Sequence, residues 1–551
     1  MTEPVLILCP SDLIPSGRVW GSDDAGSDAD RNAALDWLTL CRLLGWGVEV
    51  RAAAHVPAYE LVGRRVVIQL SDGHRPPPLD AIHPLLVIRR VSGAAAAGRS
   101  LTWTGPGAPR SWTLAEPLQA HELTVCESDE VWARLDGSPT IVARRRGRLV
   151  EALIGFDPSG ARRAAGGASA LLKTLLCLGA PAPAAWLDLR GTLVLRMDDP
   201  GASVNVHLRP WLYAKLGQEQ WSDIARELRL RGGRMTIGYT PGWVDDGDPA
   251  RGDLLVAGNA VDRVPGAVHP SPLVRYLDRA GNAPGTVNDH EAEFAGIQLF
   301  RREGLGDVEL HGHTHVYPDA ASWASASDRY DEVSWYRELS SEAASAFAAR
   351  PATQHPLTLG VASLRRHFGV APTTLVCPGH AWTPAILERA LALDFDLVAS
   401  AGVALRDQDR FCWCAGVVTR YLDGPAAACF DAELPVVGLF HDREPALFGT
   451  DWVTDWIDRW RAAGARRLID FRELAAALAL RMQLELFNGE WQLRIERRRP
   501  VALPRPLEVM LRFPGPPPRE LQAVRSGSVT RLRVQALDHG LARTVLPADP
   551  A

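Results

Sequence analysis

At 551 residues the chain exceeds what one hydrophobic core usually holds, so about two to four domains are expected. A composition of 46% hydrophobic and 23% charged residues is that of an ordinary folded globular protein and excludes a fibrous or disordered chain. The net charge of −5 and a pI near 6.3 give no electrostatic case for a nucleic acid or an anionic membrane as partner.

The chain opens on Met1-Thr2-Glu3-Pro4, which lacks the basic start of a secretory signal. Its best apolar run, 171–178, contains Lys173 and is too short to span a membrane. A cytoplasmic location is the default expectation, and the sequence leaves the oligomeric state open. The eight cysteines form no CxxC pair and read as reduced, mostly buried thiols. Lys173 and Lys215 are the two lysines, which leaves little room for Schiff-base chemistry.

A buried strand is predicted over 5–9. A helix follows over 32–46, with Leu35, Leu38, Cys41 and Leu44 on one face and Gly47 behind it. Strands at 47–51, 66–70 and 85–91 and a hairpin over 139–150 complete an α/β pattern with a parallel layer. This arrangement resembles the non-catalytic domains related to class I glutamine amidotransferases, which implies a flavodoxin-like α/β fold. An amidotransferase needs a nucleophilic cysteine in a tight elbow, and Val91-Ser92-Gly93-Ala94-Ala95 offers none, so a structural or substrate-gating role is expected. Ala180-Pro181-Ala182-Pro183-Ala184 reads as a stiff linker.

From there strands at 194–197, 235–239, 308–310, 374–377, 397–400, 435–440 and 468–471 alternate with helices near 221–230, 341–349, 361–368, 384–393 and 452–463. About seven β/α units predict a barrel, whose catalytic residues belong on the loops after the strands' C-terminal ends. Beyond 486, apolar residues alternate with polar ones at Trp491, Leu493 and Ile495 and again at Leu507, Val509, Leu511 and Phe513. That predicts a small antiparallel β module. The expected domains are therefore 1–183, 184–486 and 487–551.

The chemistry concentrates in two places. Asp198-Asp199 closes an apolar strand, and adjacent residues at a strand end point different ways. One carboxylate can then ligate a divalent metal while its neighbour takes a proton from water. A pair of Asp before Pro-Gly is in isolation more often a turn or a cap. What moves the reading toward function is His311-Gly312-His313-Thr314-His315, three histidines in five residues after the strand at 308–310. His311 and His315, four apart, can share one face of a helical turn and present two imidazoles to one ion. In an extended loop His313 would instead be a ligand with either neighbour.

Strand–Asp–Asp followed by His-x-x-x-His resembles the polysaccharide deacetylases, the NodB-like carbohydrate esterases of family 4. The resemblance implies a distorted (β/α)7 barrel with Asp198 as general base and with Asp199, His311 and His315 as ligands of one divalent ion, zinc being the first expectation. It further implies a late strand ending in a histidine that protonates the leaving amine. Gly438-Leu439-Phe440-His441-Asp442 matches it, with His441 the acid and Asp442 placed to fix its tautomer. The family's base-orienting arginine has no counterpart in Leu375-Val376-Cys377-Pro378-Gly379-His380-Ala381-Trp382, so His380 or Trp382 is expected to line the pocket there. Arg406-Asp407-Gln408-Asp409 is a loose counterpart of the family's acidic fourth motif. The long segment between Asp199 and His311 reads as an inserted lid or substrate wall. Trp243, Tyr317 and Trp382 are candidates to stack on a sugar, and Arg196 and His313 are candidates for the pocket wall or its supporting layer. The implied activity is removal of an acetyl or other acyl group from an N-acetylated sugar or conjugate. Its rivals are a metal-dependent C–N hydrolase of another small amide and a catalytically inactive binding protein.

Overall fold

A computed structural model describes residues 4–10, 19–20, 29–53, 56–57, 61–70, 85–91, 95–156, 167–207, 213–249, 252–277, 287–316, 336–341, 351–422, 429–499, 501–525 and 527–549. Tyr317 and almost all of the helix predicted at 341–349 lie outside these residues.

The first apolar run forms the strand Val5–Cys9, buried at every position because parallel neighbours flank it on both edges. Five strands pair in parallel in the order Val48–Ala52, Val5–Cys9, Val66–Gln69, Leu85–Arg90, Leu149–Ile154. Four antiparallel strands extend this sheet to nine: Ser138–Arg146, Glu130–Leu135, Ala95–Trp103 and Arg110–His121. The helix Ala29–Leu43 lays Leu35, Leu38 and Cys41 into the core, as its spacing predicts.

The central part closes on itself. Its strands are β1 (Thr192–Asp198), β2 (Met235–Tyr239), β3 (Gly306–Leu310), β4 (Thr374–Val376), β5 (Leu397–Ala399), β6 (Gly402–Asp407), β7 (Arg410–Tyr421) and β8 (Val436–His441). Each pairs with the next, and β8 returns to β1, so chain order and ring order coincide. This is a closed eight-stranded barrel, not the ring of seven expected. The difference is the hairpin β6–β7, whose Asp407-Gln408-Asp409 turn reads as a loop in the sequence. Strand β6 alone runs against the rest. Strand Arg467–Ile469, counted as a barrel member, instead lies beside the first half of β1, while β2 pairs with its second half.

Because β6 is reversed, its end lies beside the start of β5, away from the ends of the parallel strands. There Asp407 pairs with Arg42 and with Arg498, so the proposed fourth-motif counterpart is a structural turn. Around the ring, Gln218–Leu230 buries Trp221, Ile224, Ala225 and Leu228 at helical spacing. It packs closely on His290–Arg302 at Gly296, where an added Cβ would lie 2.6 Å from Trp221.

Two four-stranded sheets make the C-terminal module. One is Leu480–Phe487, Glu490–Arg497, Glu520–Arg525 and Ser528–Arg533, whose middle pair is parallel rather than antiparallel, because a long excursion separates the two strands. The other contains Leu507–Arg512 and Leu541–Leu546 and recruits Ala184–Leu187, so the residues after the proline linker enter this sheet before the barrel begins. One hydrophobic cluster runs from the N-terminal sheet into the module and the base of the barrel. Between Asp199 and His311, short strands enclose a small separate core of Val206, Trp243, Leu254, Val274 and Tyr276. Among the described residues no helix is long and apolar enough to cross a membrane.

Candidate active site

A cavity of about 350 Å³ opens at the ends of the parallel strands, lined among others by Arg196, Asp198, Asp199, His311, His315 and His441. Strand register explains why these meet. Asp198 ends β1 directly across from His441, which ends β8, and across from Gly238 on β2. His311 follows β3.

Asp199 Oδ1 lies 3.2 Å from His311 Nε2 and 3.3 Å from His315 Nε2, all three residues being buried. Among the described residues that oxygen has no hydrogen-bond partner. Ligand bonds of about 2.0–2.1 Å in a tetrahedral zinc site put neighbouring donor atoms about 3.3 Å apart, so the spacing fits one ion between these three. The ring nitrogens are also prepared for it. His311 Nδ1–H can donate to the Val376 carbonyl at 3.1 Å, which leaves Nε2 with its lone pair toward the site. Burial pushes the His315 imidazole down to about 4 against the pull of Asp199, so it is neutral at pH 7, as a ligand must be. His313 stands outside this group, its ring against Gly242, where a Cβ would lie 2.9 Å from Nε2.

The histidine loop is held by a residue with no sequence signal. Buried Glu338 accepts the backbone N–H of His313 (2.7 Å), Thr314 (3.1 Å) and His315 (3.2 Å) and the Thr314 hydroxyl (2.8 Å). Asp199, His315 and His380 adopt left-handed φ of 75°, 65° and 58°. Non-glycine residues in this region are strained and collect at functional sites.

Asp198 is fixed from its own strand. Arg196 Nε–H donates to Asp198 Oδ1 at 2.7 Å and Nη2–H to Oδ2, a bidentate pair buried on both sides. Residues i and i+2 of a strand face one way, so β1 pairs Asp198 with an arginine of its own. Burial would raise the Asp198 carboxyl, but the charge of Arg196 and the hydrogen bonds it donates outweigh it and hold it below the usual carboxylate range. Across the cavity, burial works against the His441 imidazolium, yet Asp199 and Glu444 keep its pKa above the ordinary histidine value. Glu444 accepts the His441 backbone N–H at 2.7 Å and lies 3.6 Å from Nδ1.

The sequence assigns that position to Asp442, whose carboxylate instead turns away. Tyr213 donates to its Oδ1 at 2.5 Å, and Lys215 Nζ lies 2.7 Å from Oδ2. Successive residues at a strand end diverge, so the neighbour of an inward His441 cannot share its direction. Trp243 is fully buried in the inserted segment's own core and cannot reach a sugar. Trp382 is partly buried on Trp413, centroids 4.9 Å apart, and does not line the cavity. His380 does line it. Among the described residues the aromatic rings at the cavity are Tyr336, stacked on His315, and Tyr421, edge-on to His441 at 5.0 Å.

No family model matches the sequence, and no curated protein does. Among solved structures, the carbohydrate deacetylase Agd3 is similar over 99% of this chain and 97% of its own, with 9% identity and a TM-score of 0.41. A Mycobacterium smegmatis protein assigned as a polysaccharide deacetylase is similar over 53% of this chain and 92% of its own, with 13% identity and a TM-score of 0.30.

Proposed function

We propose that the chain is a metal-dependent hydrolase that removes an acetyl group from the nitrogen of an N-acetylated sugar or sugar conjugate. The observation that carries the reading is one cavity with three parts: an Arg196-locked carboxylate, the Asp199–His311–His315 cluster, and a buried His441 opposite both. Asp199, His311 and His315 would hold a divalent ion, which when bound polarises the amide carbonyl and acidifies water. The ionised Asp198 accepts a proton from the attacking water, whose oxygen forms the new bond to the carbonyl carbon. Arg196 keeps that carboxylate turned toward the cavity and ionised. The protonated His441 gives its proton to the departing nitrogen as the C–N bond breaks, leaving acetate and a free amine. Tyr421 and Tyr336 offer rings against which an apolar sugar face can rest.

Zinc-loaded protein incubated with N-acetylated hexosamines and their short oligomers should release acetate and amine in equal amounts. No release from any of them, with one equivalent of metal bound, would overturn the sugar deacetylase reading.

A further inference from the structure

Asp199 points its carboxylate at two histidines from a left-handed backbone, φ 75°, a conformation uncommon outside glycine. The turn Asp198-Asp199-Pro200-Gly201 is tied at each residue. The Asp442 N–H donates to the Asp198 carbonyl at 3.0 Å, the Thr240 N–H to the Pro200 carbonyl at 2.9 Å, and the Gly201 N–H to Glu293 Oε2 at 2.8 Å. The Asp199 carbonyl accepts both the Ala202 N–H at 2.9 Å and Lys215 Nζ at 3.0 Å. Lys215 is in turn seated on Asp442, and Asp442 on the Tyr213 hydroxyl.

The side chains of Lys215 and Asp442 are both fully buried. Such a pair gives little net stability, since desolvation of two charges offsets their attraction and apolar residues of the same volume often serve as well. What an apolar pair could not provide is the second donor that the Asp199 carbonyl takes beside the Ala202 N–H. In a left-handed residue that carbonyl fixes the plane of the following peptide, and with it the direction in which Cβ leaves the chain. We infer that Lys215, seated by Asp442 and Tyr213, is a positioning residue that aims the Asp199 carboxylate at His311 and His315, so that its purpose is metal affinity rather than fold stability. The inference rests on the reading of Asp199 as a metal ligand.

The test uses the full chain and zinc. In the double variant K215M/D442N the ion pair goes as a whole, so neither of its partners is left behind, and the side-chain amide put in place of the Asp442 carboxylate still offers Tyr213 an acceptor. The metal-free double variant should melt within a few degrees of the parent. Its zinc affinity, measured by competition with a chromophoric chelator, should fall about 10- to 100-fold, the usual effect of removing a partner behind a ligand. D199A, measured alongside, should lose the site outright. Unchanged zinc affinity in the double variant, while D199A loses its zinc, would overturn the positioning role and leave the ligand assignment standing. Zinc retained by D199A would overturn the ligand assignment itself. Should the double variant fail to fold, Y213F decides the matter. It removes one bond behind Asp442 and should weaken zinc about 3- to 10-fold through a loosened Lys215, and an unchanged affinity would overturn the inference.

Discussion

Asp198 is held in a buried pair with Arg196, and that changes what its substitution should do. Asp198→Asn keeps the shape but cannot take a proton, so turnover should fall about 10²–10⁴-fold while zinc, held by other residues, stays bound. The same change leaves the Arg196 guanidinium buried without its anion, and the melting temperature should drop with it. Near-normal turnover in the zinc-loaded variant would show the carboxylate to be structural. The pH profile should carry both partners. Activity should rise as Asp198 loses its proton below the usual carboxylate range and fall as His441 loses its own above the ordinary histidine value. In Arg196→Met, burial remains while the opposing charge is gone, so the acid limb of kcat/KM should move to higher pH and the alkaline limb stay in place. An acid limb that does not move would mean Asp198 is not the group titrating there. At this scale the sequence carries much of the site. Asp198, Asp199 and the histidine cluster stand beside strand ends that apolar runs make visible, and His441 ends the last such run. Arg196 is visible by position but not by role, because the base-orienting arginine is expected in another loop although strand period two already places it beside Asp198. Glu338 and Glu444 act through folded proximity to backbone N–H groups and leave no pattern to read.

The elements around the cavity are packed so closely that glycines measure their tolerance. Gly238 pairs with Asp198 across β1 and β2, and a Cβ there would lie 2.7 Å from Asp198 Oδ1. Since Arg196 prevents the carboxylate from swinging clear, Gly238→Ala should displace it. Misplacement on the scale of an ångström costs about 10²-fold in rate. Alanine suits a strand at least as well as glycine, so the melting temperature should hold. Wild-type kcat/KM in this variant would show that the base has more freedom than the bidentate pair allows. Gly312 is more severe. Its φ of 68° and the 2.3 Å approach of a Cβ to Glu338 Oε2 mean that Gly312→Ala should release the loop from its acceptor, and zinc affinity should fall with activity. Zinc bound as tightly as in the parent would show that Glu338 does not set the loop. Strands with long apolar runs are legible in the sequence to within a residue or two. The hairpin β6–β7 is not, because the polar Arg406-Asp407-Gln408-Asp409 looks like a functional loop when it is a two-residue turn with Gln408 at φ 58°. Ring closure is a tertiary fact, and without that hairpin the expected barrel is one strand short.

For the molecule as a whole, one hydrophobic cluster links the three expected domains and lies beside the barrel's own cluster. Strand Leu480–Phe487 begins with the Met482 N–H donating to the Gly45 carbonyl at 2.8 Å, and Ala184–Leu187 ends with the Leu187 N–H donating to the Leu44 carbonyl at 3.1 Å. A proline-rich linker reads as a boundary between independent units, yet here the chain leaving it is pinned at once to both neighbours, which no local pattern announces. Trp46 sits where these segments meet. It is 2% exposed, donates from Nε1 to the Ala185 carbonyl at 2.6 Å, and carries the Arg65 guanidinium 4.5 Å above its ring. Trp46→Ala would open a cavity and leave that carbonyl unpaired, a loss of about 3–5 kcal/mol. Where that loss appears tells whether the core unfolds as one. In urea, zinc release reports the barrel, and tryptophan fluorescence reports the whole molecule, since eight of the 18 tryptophans lie outside residues 192–478. With a continuous core, Trp46→Ala should shift both curves to lower urea together, although residue 46 precedes strand Val48–Ala52 of the N-terminal sheet and the proposed zinc ligands stand at the barrel. If the N-terminal part were instead an autonomous unit, fluorescence would change early while zinc release kept its parental midpoint, and the shared core would have no energetic meaning.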